Sequence, residues 1–135
     1  MLNVQRVASQ STLSRFFAGF ASAAENLRCF RPLWQWCAHQ LPSRPEGYTL
    51  DLDSTRLLHE DSQQEGVAVG YTKRGLKPCL HPLLAVLAEV RLVAQLWLRP
   101  GNTSCGNNAV AFFLELRQNL PSHLRLRGVR ADSGF

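Results

Sequence analysis

The sequence predicts an α/β domain led by a short helical segment. Three observations carry that reading: helical spacing of apolar residues near the amino terminus, a switch to strict alternation at Tyr48, and a second apolar strand pattern after Pro121. Leu13, Phe16, Phe17, Phe20, Ala24 and Leu27 recur at steps of three, four and seven, so they share one helical face, with Ser11 as its N-cap. A second, shorter helix is expected to begin at Pro32, whose missing N–H suits a first turn, and to end at Pro42. Residues 42–47, PSRPEG, read as a linker, which divides the chain into a helical segment over 1–47 and a second region over 48–135.

From Tyr48 the period becomes two, because Leu50 and Leu52 alternate with Asp51 and Asp53. Residues 56–79 are polar and punctuated by Gly66, Gly70, Gly75 and Pro78, and read as a long excursion with a basic tip at Lys73, Arg74 and Lys77. The stretch Leu80–Leu98 is ambiguous: its leucines and alanines favour helix, while its length also suits two strands joined near Glu89. After a turn at Arg99–Asn102, Ala109, Phe112, Phe113, Leu116 and Leu120 mark a helix face that Pro121 terminates. Leu124–Ala131 then reads as a strand leading into Asp132.

Composition bounds the function. With 45% apolar and 19% charged residues, the 135-residue chain has ordinary globular usage and room for one small core. Its net charge is +5, supplied almost wholly by arginine, since Lys73 and Lys77 are the two lysines. Guanidinium forks match phosphate oxygens, so a polyanionic partner fits. Cys29, Cys37, Cys79 and Cys105 show no zinc-ligand spacing and read as buried free thiols; with no signal-peptide pattern, the expected compartment is the reducing cytoplasm. His81, Glu89, Arg91 and Gln95 interrupt the most apolar stretch and argue against a membrane span.

Period-two backbone puts Asp51 and Asp53 of LDLDST on one side of a mainly apolar strand. Hard divalent cations take carboxylate oxygens, so a magnesium or manganese site is one explanation of the pair, and a solvated strand end is the other. Asp132, in VRADSGF, ends a second apolar strand, and carboxylates on neighbouring strand ends are one way to assemble a phosphoryl-transfer metal site. Strict alternation, however, puts Asp132 on the side of Leu124 and Leu126. The conflict is relieved if the strand ends or bulges at Gly128.

The blocks STLSRFF, LWQW, GYTLDLDST, QQEGVAVGY, HPLLAVLAEVRLV, LRPGNTS and VRADSGF, in this order, resemble the catalytic domain of bacterial insertion-sequence transposases of the DDE type. They cover most of the chain from about Ser11 to Phe135. The resemblance implies a partial ribonuclease-H-like fold, a mixed sheet with a flanking helix, and makes Leu80–Leu98 a strand hairpin. It implies Asp53 as the first metal-binding carboxylate, with Asp51 the less favoured occupant, and Asp132 as the second. Mg2+ or Mn2+ is the implied cofactor and double-stranded DNA the implied partner, with Arg15, Lys73, Arg74 and Lys77 as candidate phosphate contacts; self-association stays open for the intact enzyme. The family's third carboxylate is a glutamate beyond the second aspartate, which this sequence lacks. Glu89 and Glu115 fall on the wrong elements, so the chain is expected to be truncated and inactive. A non-catalytic DNA-binding or assembly module is the competing reading.

Overall fold

The helical face expected as one element over residues 11–27 is two helices in the computed structural model, which describes residues 7–59, 64–132 and 134–135. Residues 60–63 of the excursion and Ser133 of the terminal block lie outside them. Helix α1 spans Gln10–Ala18 and starts two residues earlier than expected, because Ser9 Oγ, not Ser11, accepts the Thr12 N–H. Helix α2 spans Ala23–His39, so Pro32 lies inside it rather than at its start. The stronger start signal is at Ser22, whose Oγ accepts the Glu25 N–H at 3.2 Å while Glu25 Oε2 accepts the Ala21 N–H at 2.8 Å, a near capping box. Phe16, Phe17 and Phe20 gather around Phe30 of α2 with ring centroids 5.8–6.3 Å from it.

The chain forms two compact units that divide between Cys37 and Ala38, within α2, and not at the 42–47 linker. The linker belongs to the second unit for a visible reason. Tyr48 Oη donates to the Pro42 carbonyl at 2.7 Å, the His123 ring bonds the Leu41 carbonyl at 3.0 Å, and Ala38 is fully buried.

The second unit contains strands β1 (Tyr48–Ser54), β2 (Leu57–Leu58), β3 (Ala68–Thr72), β4 (Gly75–Leu80), β5 (Leu83–Leu87), β6 (Leu92–Trp97) and β7 (Leu126–Ala131), with helix α3 (Ala109–Asn119) between β6 and β7 in the chain. The main sheet has the order β6-β5-β1-β7, with β1 antiparallel to β5 and parallel to β7. Leu80–Leu98 is therefore a strand hairpin, as the family resemblance implied, against its helical propensity. Alternation decides the matter: Leu83, Ala85 and Leu87 are all buried, in register with Leu50 and its face of β1. That face is completed by α3, whose Phe112 and Leu116 are buried and whose Phe112 ring meets Trp97 edge-on at 5.4 Å. Each such side chain contributes about 1.5–3 kcal/mol by leaving water.

The excursion over 56–79 is more ordered than its composition suggests, for β2, β4 and β3 form a small antiparallel sheet. Gly75, at φ 87°, closes the β3–β4 turn, and Thr72 Oγ1 both donates to the Gly75 carbonyl and accepts the Arg74 N–H. Gly70 and Gly101 cross with their backbones in contact, and a Cβ on either would overlap main-chain atoms. No helix among the described residues is long and apolar enough to cross a membrane. All four cysteines are free, but of the expected buried thiols Cys79 alone is fully buried; Cys37 and Cys105 are half-buried and Cys29 is exposed on α2.

Candidate functional site

The parity conflict at Asp132 is resolved by a bulge. On the parallel β1–β7 pair, Tyr48 lies opposite Leu126 but Thr49 lies opposite Gly128, so Arg127 is an extra residue on β7. Beyond it the register is regular: Leu50 faces Val129, Asp51 faces Arg130, and Leu52 faces Ala131. The inserted residue reverses which face each later β7 side chain takes, so Asp132 shares parity with Arg130 and not with Leu126. Continued one residue, the register sets Asp132 opposite Asp53, on strands spaced about 4.8 Å apart.

The three aspartates have different surroundings. Asp51 is engaged by Arg130 through two bonds, Nε to Oδ1 at 2.6 Å and Nη2 to Oδ2 at 2.7 Å, and this fork holds its carboxyl below the usual range. Asp53 is exposed and accepts the N–H of the next residue, Ser54, at 2.7 Å through Oδ1. Asp132 likewise accepts the Gly134 N–H at 2.9 Å through Oδ1. For both, Oδ2 has no protein partner among the described residues.

Glu89 and Glu115 lie elsewhere, as their elements predicted. Glu89, at the β5–β6 turn, receives the Thr49 N–H at 3.0 Å and the Thr49 hydroxyl at 2.9 Å, at the far end of β1 from Asp53. Glu115, on α3, receives the Trp97 indole N–H at 2.7 Å. Asp53 and Asp132 offer the hard oxygen donors that Mg2+ or Mn2+ prefers, and each has an oxygen to spare. Two carboxylates fill only part of a shell of about six, and the described residues contain no cluster of three or more acidic, histidine or cysteine side chains that could hold a metal. In donor chemistry the strand tips fit a divalent ion; in donor number they are incomplete.

Behind the Asp53 tip stand His81, which the sequence reads as capping or packing at a strand start, and Arg99, whose carbonyl-gathering role the sequence reading missed. His81, at the β4–β5 junction, is 1% exposed; its Nδ1 bonds the Thr103 carbonyl at 2.7 Å and its Nε2 lies 3.1 Å from Ser54 Oγ. Burial pushes its pKa below the ordinary 6.5, so the ring is neutral at pH 7. Arg99, which reads as a turn residue, is also buried, and its guanidinium donates to carbonyls of residues 81, 104, 105 and 107. An arginine opening a Pro-Gly-Asn turn before a Ser-Cys-Gly segment is the one signal that a loop needed its carbonyls gathered.

Of the candidate phosphate contacts, Lys73 and Arg74 sit at the exposed β3–β4 tip, and Lys77 follows on β4. Beside them Tyr71 and Leu76, directly paired across the hairpin, are 72% and 70% exposed. Arg15 is on α1 in the other unit, where its Nε donates to the Ser11 carbonyl. A shallow groove lined by Arg117, Ser122 and Arg125 lies at the opposite end of β7 from Asp132.

A mixed sheet with a helix across one face, whose two neighbouring parallel strands lead to aspartates, is a partial ribonuclease-H-like α/β domain. The family model for the transposase DDE domain, group 1, matches residues 2–135, and the chain belongs to that family. Neither the curated proteins nor the solved structures hold a match to it. Membership assigns the chain to transposition, with DNA as the family's substrate and divalent metal as its general cofactor.

Proposed function

We propose that Asp53 and Asp132 are two of the metal-binding carboxylates of a transposase, and that this chain alone holds too few of them for DNA cleavage or strand transfer. The observation that supports this best is the β7 bulge at Arg127, which turns Asp132 to the parity of Asp53. Asp51, occupied by Arg130, is the weaker candidate for a ligand, although it shares their face. A divalent ion held there supplies charge neutralisation at phosphate and a more acidic attacking hydroxyl. The protein's part is to hold the two carboxylates on stiff, hydrogen-bonded strands rather than on loops.

The test is Mn2+ titration of the chain, followed by paramagnetic broadening of amide signals, together with incubation with plasmid DNA. Weak binding centred on Ser54 and Gly134, lost in Asp53→Asn and in Asp132→Asn, and no cleavage are expected. Cleavage that depends on Asp53, or Mn2+ binding indifferent to both substitutions, overturns the proposal.

DNA contact is assigned to Lys73, Arg74 and Lys77 of the β3–β4 hairpin, with Arg15 as a separate contact. The exposed Tyr71–Leu76 pair beside two cations also favours the second reading, a binding module without chemistry, because an aromatic face next to guanidinium suits stacking and phosphate contact together. Binding to duplex DNA should fall steeply with salt, and Lys73→Glu with Arg74→Glu should reduce the salt slope by about 2. Salt-independent binding, or an unchanged slope, removes the hairpin from the interface.

A further inference from the structure

We infer that the loop between β6 and α3, residues 98–108, is a brace that fixes the Asp53 and Asp132 tips relative to each other, with Arg99 and His81 as its positioning residues. The inference rests on the reading of the two aspartates as a metal-binding pair, and adds what sets their separation.

Three observations join in one loop. The first is the way Arg99 gathers it. The Arg99 side chain is surrounded by carbonyls and not by carboxylates: Nε donates to His81 O at 3.1 Å, and Nη1 donates to Ser104 O, Cys105 O and Asn107 O at 3.3, 3.1 and 2.8 Å. In return the His81 N–H donates to Arg99 O at 2.7 Å. A stretch containing a proline and two glycines is thereby closed around Nε and Nη1 of one planar guanidinium, a task that a lysine ammonium, with no fixed fork, cannot copy.

The second is the link to the Asp53 tip. A carbonyl can only accept, so the bond to Thr103 O places the proton on His81 Nδ1 and leaves Nε2 as an acceptor. The Ser54 hydroxyl, 3.1 Å away, is then the donor to Nε2. Ser54 directly follows Asp53, so the end of β1 is tied through His81 to the loop. The third is the link to the Asp132 tip. The loop's Cys105 and Gly106 lie against the residues after Asp132: a Cβ on Gly134 would come within 3.3 Å of Cys105 Cβ, and one on Gly106 would come 3.6 Å from the Phe135 backbone. Divalent cations bind oxygens over a range of only a few tenths of an ångström, so a shared loop touching both tips governs whether both can reach one ion.

Amide hydrogen exchange by NMR on the full 135-residue chain tests the brace, with Mn2+ affinity as a separate readout. In Arg99→Lys, exchange at Ser54 and at Gly134 should rise together by tenfold or more while Leu50 and Leu87 stay within twofold, and Mn2+ affinity should fall at least fivefold. His81→Ala should loosen Ser54, and His81→Gln, whose amide offers a donor nitrogen for Thr103 O and an acceptor oxygen for the Ser54 hydroxyl, should restore it. Faster exchange confined to residues 103–107, with Ser54 and Gly134 unchanged, overturns the brace. If Arg99→Lys also exposes Leu50 and Leu87, the His81 pair decides: no difference between Ala and Gln at Ser54 overturns it. Tips that loosen in a chain whose Mn2+ binding ignores Asp53→Asn sustain the brace and remove the metal reading instead.

Discussion

The two ends of the β1–β7 strand pair are built oppositely. At the start of β1, Thr49 is 6% exposed and its own polar groups are matched: its N–H and hydroxyl go to Glu89, and its Oγ1 accepts Arg127 Nε at 2.8 Å. Desolvation pushes the Glu89 carboxyl up, but the bonds from Thr49 and its own backbone N–H, with the charge of Arg127, outweigh it and lower its pKa. At the other end, Asp53 and Asp132 each keep a carboxylate oxygen that meets no protein donor among the described residues. Thr49 is buried and its polar groups are satisfied within the chain, whereas Asp53 and Asp132 are exposed and their spare oxygens face solvent, open to a ligand if the proposed metal reading holds.

That contrast can be broken in four ways, taken from the largest expected effect. Gly101→Val should cost about 3 kcal/mol in denaturant unfolding, because its Cβ would overlap the Ala68 and Cys79 carbonyls and the Cys79 sulfur beneath the bracing loop. A loss under about 1 kcal/mol would mean that the loop is free to move away. Thr49→Val should cost about 1–2 kcal/mol, since the methyl neither donates to Glu89 nor accepts from Arg127. Asp53→Asn, at the other end, should leave stability within about 0.5 kcal/mol while abolishing Mn2+ broadening; a stability loss as large as that of Thr49→Val would show that Asp53 is structural after all.

The smallest effect concerns pH. Because Arg130 lowers the folded-state pKa of Asp51 below its ordinary 3.8, the pair's stabilisation is complete above that value and is lost as pH falls through the depressed one. The pair is solvent-exposed, with side-chain exposures of 67% and 37%, so its screened contribution should be marginal. Arg130→Gln should therefore be marginally less stable than wild type above the ordinary carboxylate pKa, with the difference vanishing at the acid end, and a difference at pH 7 equal to that of Thr49→Val would contradict the contrast.

Much of this architecture was legible in the residues. Alternation at Tyr48–Asp53 marked β1, the spacing of Phe112 and Leu116 marked α3, and Pro121 marked its end, because these signals are local and each matches a single backbone period. The Leu80–Leu98 hairpin was not legible from propensity, since leucine and alanine favour helix in isolation and strand pairing is settled by partners far along the chain. Pro32 misled for the opposite reason: a helix already started by Ser22 and Glu25 runs through it.

The sequence by itself determined that two apolar strands each run into an aspartate, because period and residue type are properties of the chain alone. Only the tertiary structure decided that the two aspartates share parity. That depends on one extra residue in β7 at Arg127, held by Thr49 and lying against Gly47, where a Cβ would come within 3.1 Å of the Arg127 N and 3.2 Å of its Cβ. A bulge is a property of two strands in register, and no single strand's pattern contains it.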